Sequence, residues 1–192
     1  MKDISQKLEN AVVAIAGLGG LGSNVAVCLA RTGVGKLIIA DFDDVEKSNL
    51  NRQHYFLDQV GKSKVECTIE NLKRINPDLE IEAHKEKLTG QNIPVIFSKA
   101  DIIAECFDKA DQKQMIVETV LTKMKDAVIV SASGMAGYGK SNEVQTRKIN
   151  ERLILVGDNK SGIDSIKILT AGRVGLVACH QANAIIEVLL DG

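Results

Sequence analysis

Short apolar runs alternate along the chain with segments whose apolar residues recur every three or four positions. The runs predict five strands, at residues 12–16, 36–40, 79–83, 101–106 and 127–132. The periodic segments predict four helices, at about residues 21–31, 62–75, 110–124 and 173–190. Strands that alternate with helices in this way are typical of a parallel sheet joined by crossover helices.

A different pattern appears between Glu143 and Val156, where apolar and polar residues alternate. The stretches EVQTRKI and RLILV lie on either side of a short polar turn, which predicts an antiparallel hairpin. Right-handed crossovers place the first strand beside the fourth. We therefore predict an α/β fold, a Rossmann-like doubly wound and mainly parallel sheet with an appended antiparallel hairpin, in a single domain spanning residues 1–192.

The amino-acid composition reduces the number of possible functions. The 192 residues are 45% hydrophobic, enough for a substantial core, while a net charge of -1 and 3% aromatic residues give no basic surface or base-stacking platform. We exclude a nucleic-acid binder. No apolar run approaches the roughly 20 residues of a membrane span, and the opening MKDISQKLEN lacks the apolar centre of a signal peptide. We expect a cytoplasmic protein without a membrane partner.

The four cysteines lie far apart in the sequence, mostly inside predicted helices or strands. They are Cys28, Cys67, Cys106 and Cys179. This spacing shows neither a paired zinc motif nor a disulfide framework. We expect buried thiols without a chemical role.

A glycine-rich turn follows the first predicted strand. Gly17, Gly19 and Gly22 form the pattern Gly-x-Gly-x-x-Gly, and Asp41 ends the next strand nineteen residues after Gly22. In this context one glycine permits the turn, one lets backbone amides approach a phosphate, and one lets the helix pack closely. The start of the helix attracts the phosphate, and the acid can hold ribose hydroxyls. The pattern predicts a nucleotide site.

Three charged residues bear on which nucleotide is bound. Arg52 and Lys64 belong to a long polar segment after Asp41, and such long loops tend to be functional. Asp108 follows the fourth predicted strand and should face the glycine turn across the crevice of the sheet. Two cations and a metal-binding acid favour a triphosphate with magnesium. A nicotinamide-dependent oxidoreductase remains an alternative, but it leaves these three residues without a role.

These segments together resemble a known family. GLGGLGSNVA, DFDDVEKSNLNRQ, GKSKVE and ECFDKAD follow one another at the separations seen in the ThiF/MoeB family of ubiquitin-activating-like adenylyltransferases. The ending RVGLVACHQANAIIEVLL is similar to that of the short bacterial ThiF proteins of thiamine biosynthesis. The resemblance runs from about Ala11 to the end of the chain.

The resemblance implies that ATP and Mg²⁺ activate a small ubiquitin-like sulfur-carrier protein ending in Gly-Gly, whose terminal carboxylate attacks the α-phosphate. It also implies a homodimer. Carried over by position, Asp41 would bind the ribose, and Asp108 would bind magnesium as a catalytic residue. Arg52 and Lys64 would act on the phosphates as catalytic residues. The remaining nucleotide-binding positions would be Asn49 on the phosphates, Gln53 supporting the loop, and Gly17, Gly19, Gly20 and Gly22 forming the cradle.

The chain also departs from the family's pattern. No arginine precedes Ala11, Lys109 stands where asparagine is common, and no Cys-x-x-Cys pair or thiol on a crossing loop follows Ser133. We therefore expect adenylation without a covalent thioester or persulfide on this chain. A nucleotide-binding partner of a sulfur carrier with reduced catalysis stays open as an alternative. The glycine-rich segments GMAGYGKSN and GDNKSGIDSIKILTAG are expected near the edge of the site.

Overall fold

The computed structural model describes residues 2–162, 166 and 168–191. Its α-helices are α1 (Lys2–Asn10), α2 (Gly20–Thr32), α3 (Lys64–Lys73), α4 (Ile93–Ile96), α5 (Ala110–Lys123) and α6 (Ala171–Asp191). Its strands are β1 (Val12–Ala16), β2 (Lys36–Ala40), β3 (Glu80–His84), β4 (Ile102–Glu105), β5 (Val128–Ala132), β6 (Gln145–Asn150) and β7 (Leu153–Gly157). Short 3-10 turns occur at Lys47–Asn49, Leu57–Gln59 and Ser141–Glu143.

The strands form one seven-stranded sheet in the order β3-β2-β1-β4-β5-β7-β6. All neighbouring pairs are parallel except β6 and β7, which form the antiparallel hairpin. The predicted fold class is confirmed, including the placement of β1 beside β4. Ala16, at the end of β1, lies opposite Ala40 on one side and Glu105 on the other. Three strands therefore end at one level, where ligands bind in doubly wound sheets.

Each face of the sheet is covered by its own helices. The side chains of β1 alternate, so that Val13 and Ile15 contact the apolar cluster beneath α2 and α6. Ala14 and Ala16 contact the other cluster, to which α4 and α5 contribute. Continuous apolar strands are the expected sequence for a sheet that is buried on both faces.

Two helices were absent from the sequence prediction. α1 contributes Leu8 to the core, and the Leu8 carbonyl accepts hydrogen bonds from the Ala11 and Gly35 amides. Its other described residues are exposed, so the segment has no repeating buried apolar face from which the helix could be predicted. α4 is a single turn containing Pro94, too short to produce a periodic pattern. β3 also begins and ends one residue later than predicted.

α6 is the longest helix of the described chain and is largely apolar. By length and composition it could cross a membrane, which differs from the expectation that no segment approaches such a span. Val174, Val177 and Ile185 of α6 are buried against the sheet. The core helix of a soluble protein meets the same criterion, so this finding is weak support for a membrane span.

The cysteines are free thiols, but they are not uniformly buried. Cys67 and Cys106 are buried, whereas Cys28 is half-buried. Cys179 is exposed, so the expectation of a buried thiol was wrong at this position. The apolar composition of α6 suggested burial at every position, but only one face of the helix packs on the sheet.

Candidate active site

The carboxyl ends of β1, β2 and β4 open into a pocket of about 490 Å³. One side, which we call the nucleotide wall, contains eight of the residues expected from the sequence: Gly17, Gly19, Gly20, Asp41, Arg52, Gln53, Lys64 and Asp108. The structure thus brings together residues from five separate parts of the chain. Of the ten expected residues, Gly22 and Asn49 do not line the pocket.

The glycine turn requires its glycines for two different reasons. Gly17 has a φ of 90°, and a Cβ at this position would lie 3.1 Å from the carbonyl oxygen of Cys106. A Cβ on Gly22 would lie 1.8 Å from the Gly17 carbonyl oxygen, which no rearrangement of side chains relieves. Gly22 therefore allows α2 to pack against the turn, while Gly17, Gly19 and Gly20 leave backbone exposed to a ligand.

Asp41 connects the end of β2 to the glycine turn. Its Oδ2 accepts a hydrogen bond from the Leu18 amide at 2.6 Å, and its Oδ1 accepts one from the Asp43 amide at 2.8 Å. Burial raises the pKa of Asp41, and the two amide hydrogen bonds act against that rise. Each carboxylate oxygen retains a second lone pair, so Asp41 can accept ligand hydroxyls while it holds the turn.

Lys64 begins α3 and points its ammonium group into the same pocket. Its side chain is 7% exposed, and its Nζ lies 2.8 Å from Oδ2 of Asp43. The Lys64 amide also donates to the Asp43 carbonyl oxygen at 3.1 Å, so two hydrogen bonds join these residues. An ammonium group carries three N–H donors. The contact with Asp43 leaves two of them for an anionic ligand.

The polar loop after β2 holds Arg52 and Gln53. The guanidinium of Arg52 donates to the Ser48 carbonyl oxygen at 3.1 Å and to Oδ1 of Asn51 at 2.8 Å. Gln53 is buried, and its Oε1 has no hydrogen-bond partner among the described residues. Asn49 instead shapes the loop, because its Oδ1 accepts the Glu46 amide at 3.2 Å.

Buried contacts that the sequence did not reveal hold this loop against the glycine turn. The Tyr55 hydroxyl donates to the Leu18 carbonyl oxygen at 2.8 Å, and burial raises the pKa of that hydroxyl. The side-chain amide of Asn24 donates to the Arg52 carbonyl oxygen at 3.0 Å. Long-range pairs of this kind have no signature in local sequence. They give the loop residues that line the pocket a defined backbone.

Asp108 is exposed, as are Asp43, Glu86 and Asp111 among the acids that line the pocket, whereas Asp41 is buried. Among the residues that the structure describes, none forms a hydrogen bond or an ion pair with the Asp108 carboxylate. No group of three His, Cys, Asp or Glu residues in the described chain is placed to hold a metal ion. Mg²⁺ is commonly held by one or two carboxylates together with substrate phosphates and water. Asp108 fits that arrangement only when phosphates are bound with the metal.

A second part of the pocket lining, which we call the loop wall, consists of Met135, Leu169 and Val174. Met135 and Leu169 come from the two glycine-rich segments expected near the site. Positions 163–165 and 167 of the second segment lie outside the described residues. Parallel bridging between Gly137 and Leu169 joins the two segments beside the pocket.

A buried ion pair anchors the loop wall. Arg173 of α6 donates to the carboxylate of Asp158, and both side chains are 2% exposed. The Arg173 guanidinium also donates to the carbonyl oxygens of Gly139 and Lys140, at 3.2 and 2.8 Å. Burial alone would raise the pKa of Asp158. Hydrogen bonds from Ser161 and Lys160 and the charge of Arg173 outweigh burial and lower that pKa to about 2.

Two features of the nucleotide wall match the chemistry of a nucleoside triphosphate. A cradle without side chains lies at the start of α2, where backbone N–H groups favour a phosphate. The donors and acceptors left available are the Lys64 ammonium, Gln53 Oε1 and the Asp108 carboxylate. The ammonium group matches phosphates, the amide oxygen matches a polar ligand group, and the carboxylate matches a divalent cation. The fold and this site define a nucleotide-binding protein of the doubly wound α/β class.

The chain belongs to the ThiF family, whose model matches residues 1–192. It is 36% identical over 136 residues to the sulfur carrier protein ThiS adenylyltransferase of Escherichia coli K12, covering 70% of this chain and 54% of the relative. It is 42% identical over 135 residues to the adenylyltransferase and sulfurtransferase uba4 of Aspergillus niger, covering 70% of this chain and 28% of that protein. The matched region is therefore about half of one relative and about a quarter of the other.

Solved structures agree on the architecture. The E. coli tRNA N6-threonylcarbamoyladenosine dehydratase TcdA in complex with AMP has a TM-score of 0.86 at 19% identity, covering 98% of this chain and 90% of that one. At this identity the likeness concerns the fold alone. E. coli MccB with AMPCPP and MccA has a TM-score of 0.74 at 25% identity, covering 97% of this chain and 57% of that one.

Proposed function

We propose that the protein is an ATP-dependent adenylyltransferase that activates the C-terminal carboxylate of a small ubiquitin-like sulfur-carrier protein. The observation that carries the proposal is the meeting of the glycine turn, Lys64 and Asp108 in one pocket, where Asp108 has no partner among the described residues. The ThiS adenylyltransferase and uba4 relatives favour a sulfur carrier as substrate, and the first of them favours thiamine biosynthesis.

In the proposed reaction the carrier's terminal carboxylate attacks the α-phosphate of ATP. The oxygen–phosphorus bond to the carboxylate forms, the bond to the bridging oxygen of pyrophosphate breaks, and an acyl adenylate results. A C-terminal carboxyl has an ordinary pKa of about 3.5 and is ionised at neutral pH. The step therefore requires no general base, which agrees with a pocket whose described lining contains no histidine.

The residues of the nucleotide wall would act mainly by position and charge. The glycine turn would hold phosphate oxygens through backbone amides, and Asp41 would hold the ribose. Lys64 and Arg52 would offset the negative charge that builds up on the α-phosphate and pyrophosphate. Mg²⁺ held by Asp108 would supply further neutralisation of the phosphate oxygens. Gln53 would complete the support of the loop.

Partners and setting follow from the same proposal. A carrier tail ending in Gly-Gly is narrow, and it would approach the α-phosphate between the nucleotide wall and the loop wall. We further propose a cytoplasmic homodimer. We propose no covalent carrier adduct on this chain, because the exposed Cys179 lies on α6 outside the lining of the pocket. Cys106 does line the pocket, but it is buried, and burial raises the pKa of its thiol.

The experiment is carrier-dependent exchange of radiolabelled pyrophosphate into ATP, with a small protein ending in Gly-Gly and Mg²⁺. We expect exchange with the wild-type protein and none with a carrier that lacks the terminal glycine. Magnesium-dependent ATP binding without exchange would instead support the catalytically reduced partner. NAD binding without magnesium-dependent ATP affinity would support the oxidoreductase.

A further inference from the structure

A buried carboxylate that the proposed reaction does not use lies just before Asp108. Glu105 is the last residue of β4 and is 0% exposed. An ionised carboxylate in such a place is costly unless it is paired and hydrogen-bonded. The partners of Glu105 therefore indicate why this residue is an acid and not another apolar strand residue.

The Glu105 carboxylate accepts four hydrogen bonds. Lys113 of α5 donates to both oxygens at 2.9 Å, and the Ser131 hydroxyl of β5 donates to Oε2 at 2.6 Å. The Phe107 amide donates to Oε1 at 2.7 Å. The side-chain amide of Gln181 from α6 also donates to the Glu105 carbonyl oxygen at 2.9 Å. Both the side chain and the backbone of Glu105 are thereby fixed.

These partners surround the turn that carries Asp108. Glu105 lies three residues before Asp108 and Lys113 lies five residues after it, so their ion pair closes the β4–α5 turn at its base. The bond to the Phe107 amide fixes the Cys106–Phe107 peptide, one residue before Asp108. Asp108 itself is exposed and makes no contact of its own that would orient it within the described chain. Its direction is therefore set by the backbone of the turn.

We propose that Glu105 is a positioning residue that aims Asp108 at the divalent cation through its bond to the Phe107 amide. This inference rests on the proposed function, which assigns the cation to Asp108. The role of Lys113 is to neutralise the buried carboxylate, and Ser131 anchors it to β5. Residues that orient a metal ligand commonly change metal affinity by about 10-fold to 100-fold when they are replaced.

Two double variants that differ only at position 105 test the proposal. In Glu105→Gln/Lys113→Met the glutamine oxygen still accepts the Phe107 amide, and its NH₂ group donates to Ser131. In Glu105→Leu/Lys113→Met that acceptor is lost. Neither variant leaves an unpaired buried charge. Calorimetry then measures the affinity for AMPCPP with and without Mg²⁺, alongside hydrogen exchange of the Phe107 amide.

We expect Mg²⁺ to strengthen AMPCPP binding to the wild type and to the glutamine variant equally, within about twofold. In the leucine variant we expect that enhancement to fall by about tenfold or more, with metal-free affinity unchanged and faster exchange at Phe107. A leucine variant that keeps the full magnesium enhancement while its Phe107 amide exchanges freely would overturn the proposal. An unprotected Phe107 amide in the wild-type protein would also overturn it, even if the leucine variant does not fold.

The design separates this inference from the proposed function. A wild-type protein that binds AMPCPP with magnesium enhancement but performs no pyrophosphate exchange contradicts adenylation and leaves the Glu105 test intact. A wild-type protein that performs exchange while both variants respond to Mg²⁺ alike contradicts only the role of Glu105.

Discussion

The two walls of the pocket are built in different ways. The nucleotide wall joins the ends of β1, β2 and β4 to the polar loop after β2 and to the start of α3. The loop wall joins the segments that carry Met135 and Leu169 to Val174 of α6, and the buried ion pair of Arg173 with Asp158 supports it. The difference indicates that catalysis and structural support depend on different parts of the pocket. Substitutions in the nucleotide wall should therefore change catalysis, and substitutions at the ion pair should change stability.

The largest expected effect is on stability, in Arg173→Met. This change leaves Asp158 buried without its cation, and we expect the free energy of unfolding to fall by about 3–5 kcal/mol. Denaturant unfolding measures the loss. The exposed pair of Lys148 and Glu151 is the matched control, because Lys148→Met should cost less than about 1 kcal/mol. Equal losses of unfolding free energy in the two variants would show that the ion pair does not anchor the loop wall.

The next effect is on catalysis, in Asp108→Ala. Loss of the proposed magnesium ligand should slow pyrophosphate exchange by about a hundredfold or more, equivalent to about 3 kcal/mol of barrier. Stability should change by less than about 0.5 kcal/mol because the side chain is exposed. Asp111→Ala is the control, since Asp111 is another exposed acid that lines the pocket. If both variants lose activity equally, general charge and not a specific ligand explains the effect.

Acid should weaken the loop wall through Asp158. The pKa of Asp158 is lowered in the folded protein to about 2, so its contribution to stability is present above about pH 4, the pKa range of an unfolded aspartate. That contribution is lost as the pH falls from about 4 towards 2. Acid titrations of the wild type and Asp158→Asn should show a stability difference that shrinks over this range. A difference that is constant from neutral pH to pH 2 would contradict the assignment.

Asp41 tests the comparison further, because it supports the glycine turn and is also the proposed contact to the ribose. Asp41→Ala removes the acceptor of the Leu18 and Asp43 amides as well as the proposed ribose contact. We expect affinity for ATP to fall by about tenfold, with a smaller loss of thermal stability than in Arg173→Met. Calorimetry and thermal unfolding measure the two effects. Unchanged ATP affinity would show that Asp41 serves the turn alone.

The smallest effect is expected at Cys179, which belongs to neither wall. Cys179→Ser should change the free energy of unfolding by less than about 0.5 kcal/mol because the thiol is exposed. Carrier-dependent exchange should be unchanged. Intact mass spectrometry after turnover should find no carrier attached to the chain. A covalent carrier adduct that disappears in this variant would contradict the proposal of adenylation alone.

The same division explains what the sequence could predict. The strands, the glycine turn and the facing position of Asp108 follow from local patterns, because a parallel sheet converts strand order into spatial neighbours. One glycine of the turn was expected to allow close helix packing, and in the structure Gly22 is the one that does so. The roles assigned to the individual site residues remain predictions. They depend on the ligand as well as on the fold.

Other features depend on pairs of residues that are distant or individually ordinary in sequence. In the sequence Arg173 and Asp158 cannot be told from surface charges, and only the fold shows that they are buried together. Glu105 occupies a position where an apolar residue would extend the strand equally well. Asn49 was expected at the phosphates, but its side chain is engaged within the loop and lies outside the pocket lining. Charge in a sequence does not reveal whether its partner is solvent, ligand or protein.

α6 also determines when the pocket becomes complete during translation. Its Gln181 donates to the carbonyl oxygens of Glu105 and Val130, and its Val174 lines the pocket. Because α6 is synthesised after every strand of the sheet, a nascent chain displays the glycine turn well before the site is closed. ATP should therefore be held only after this last helix has emerged from the ribosome.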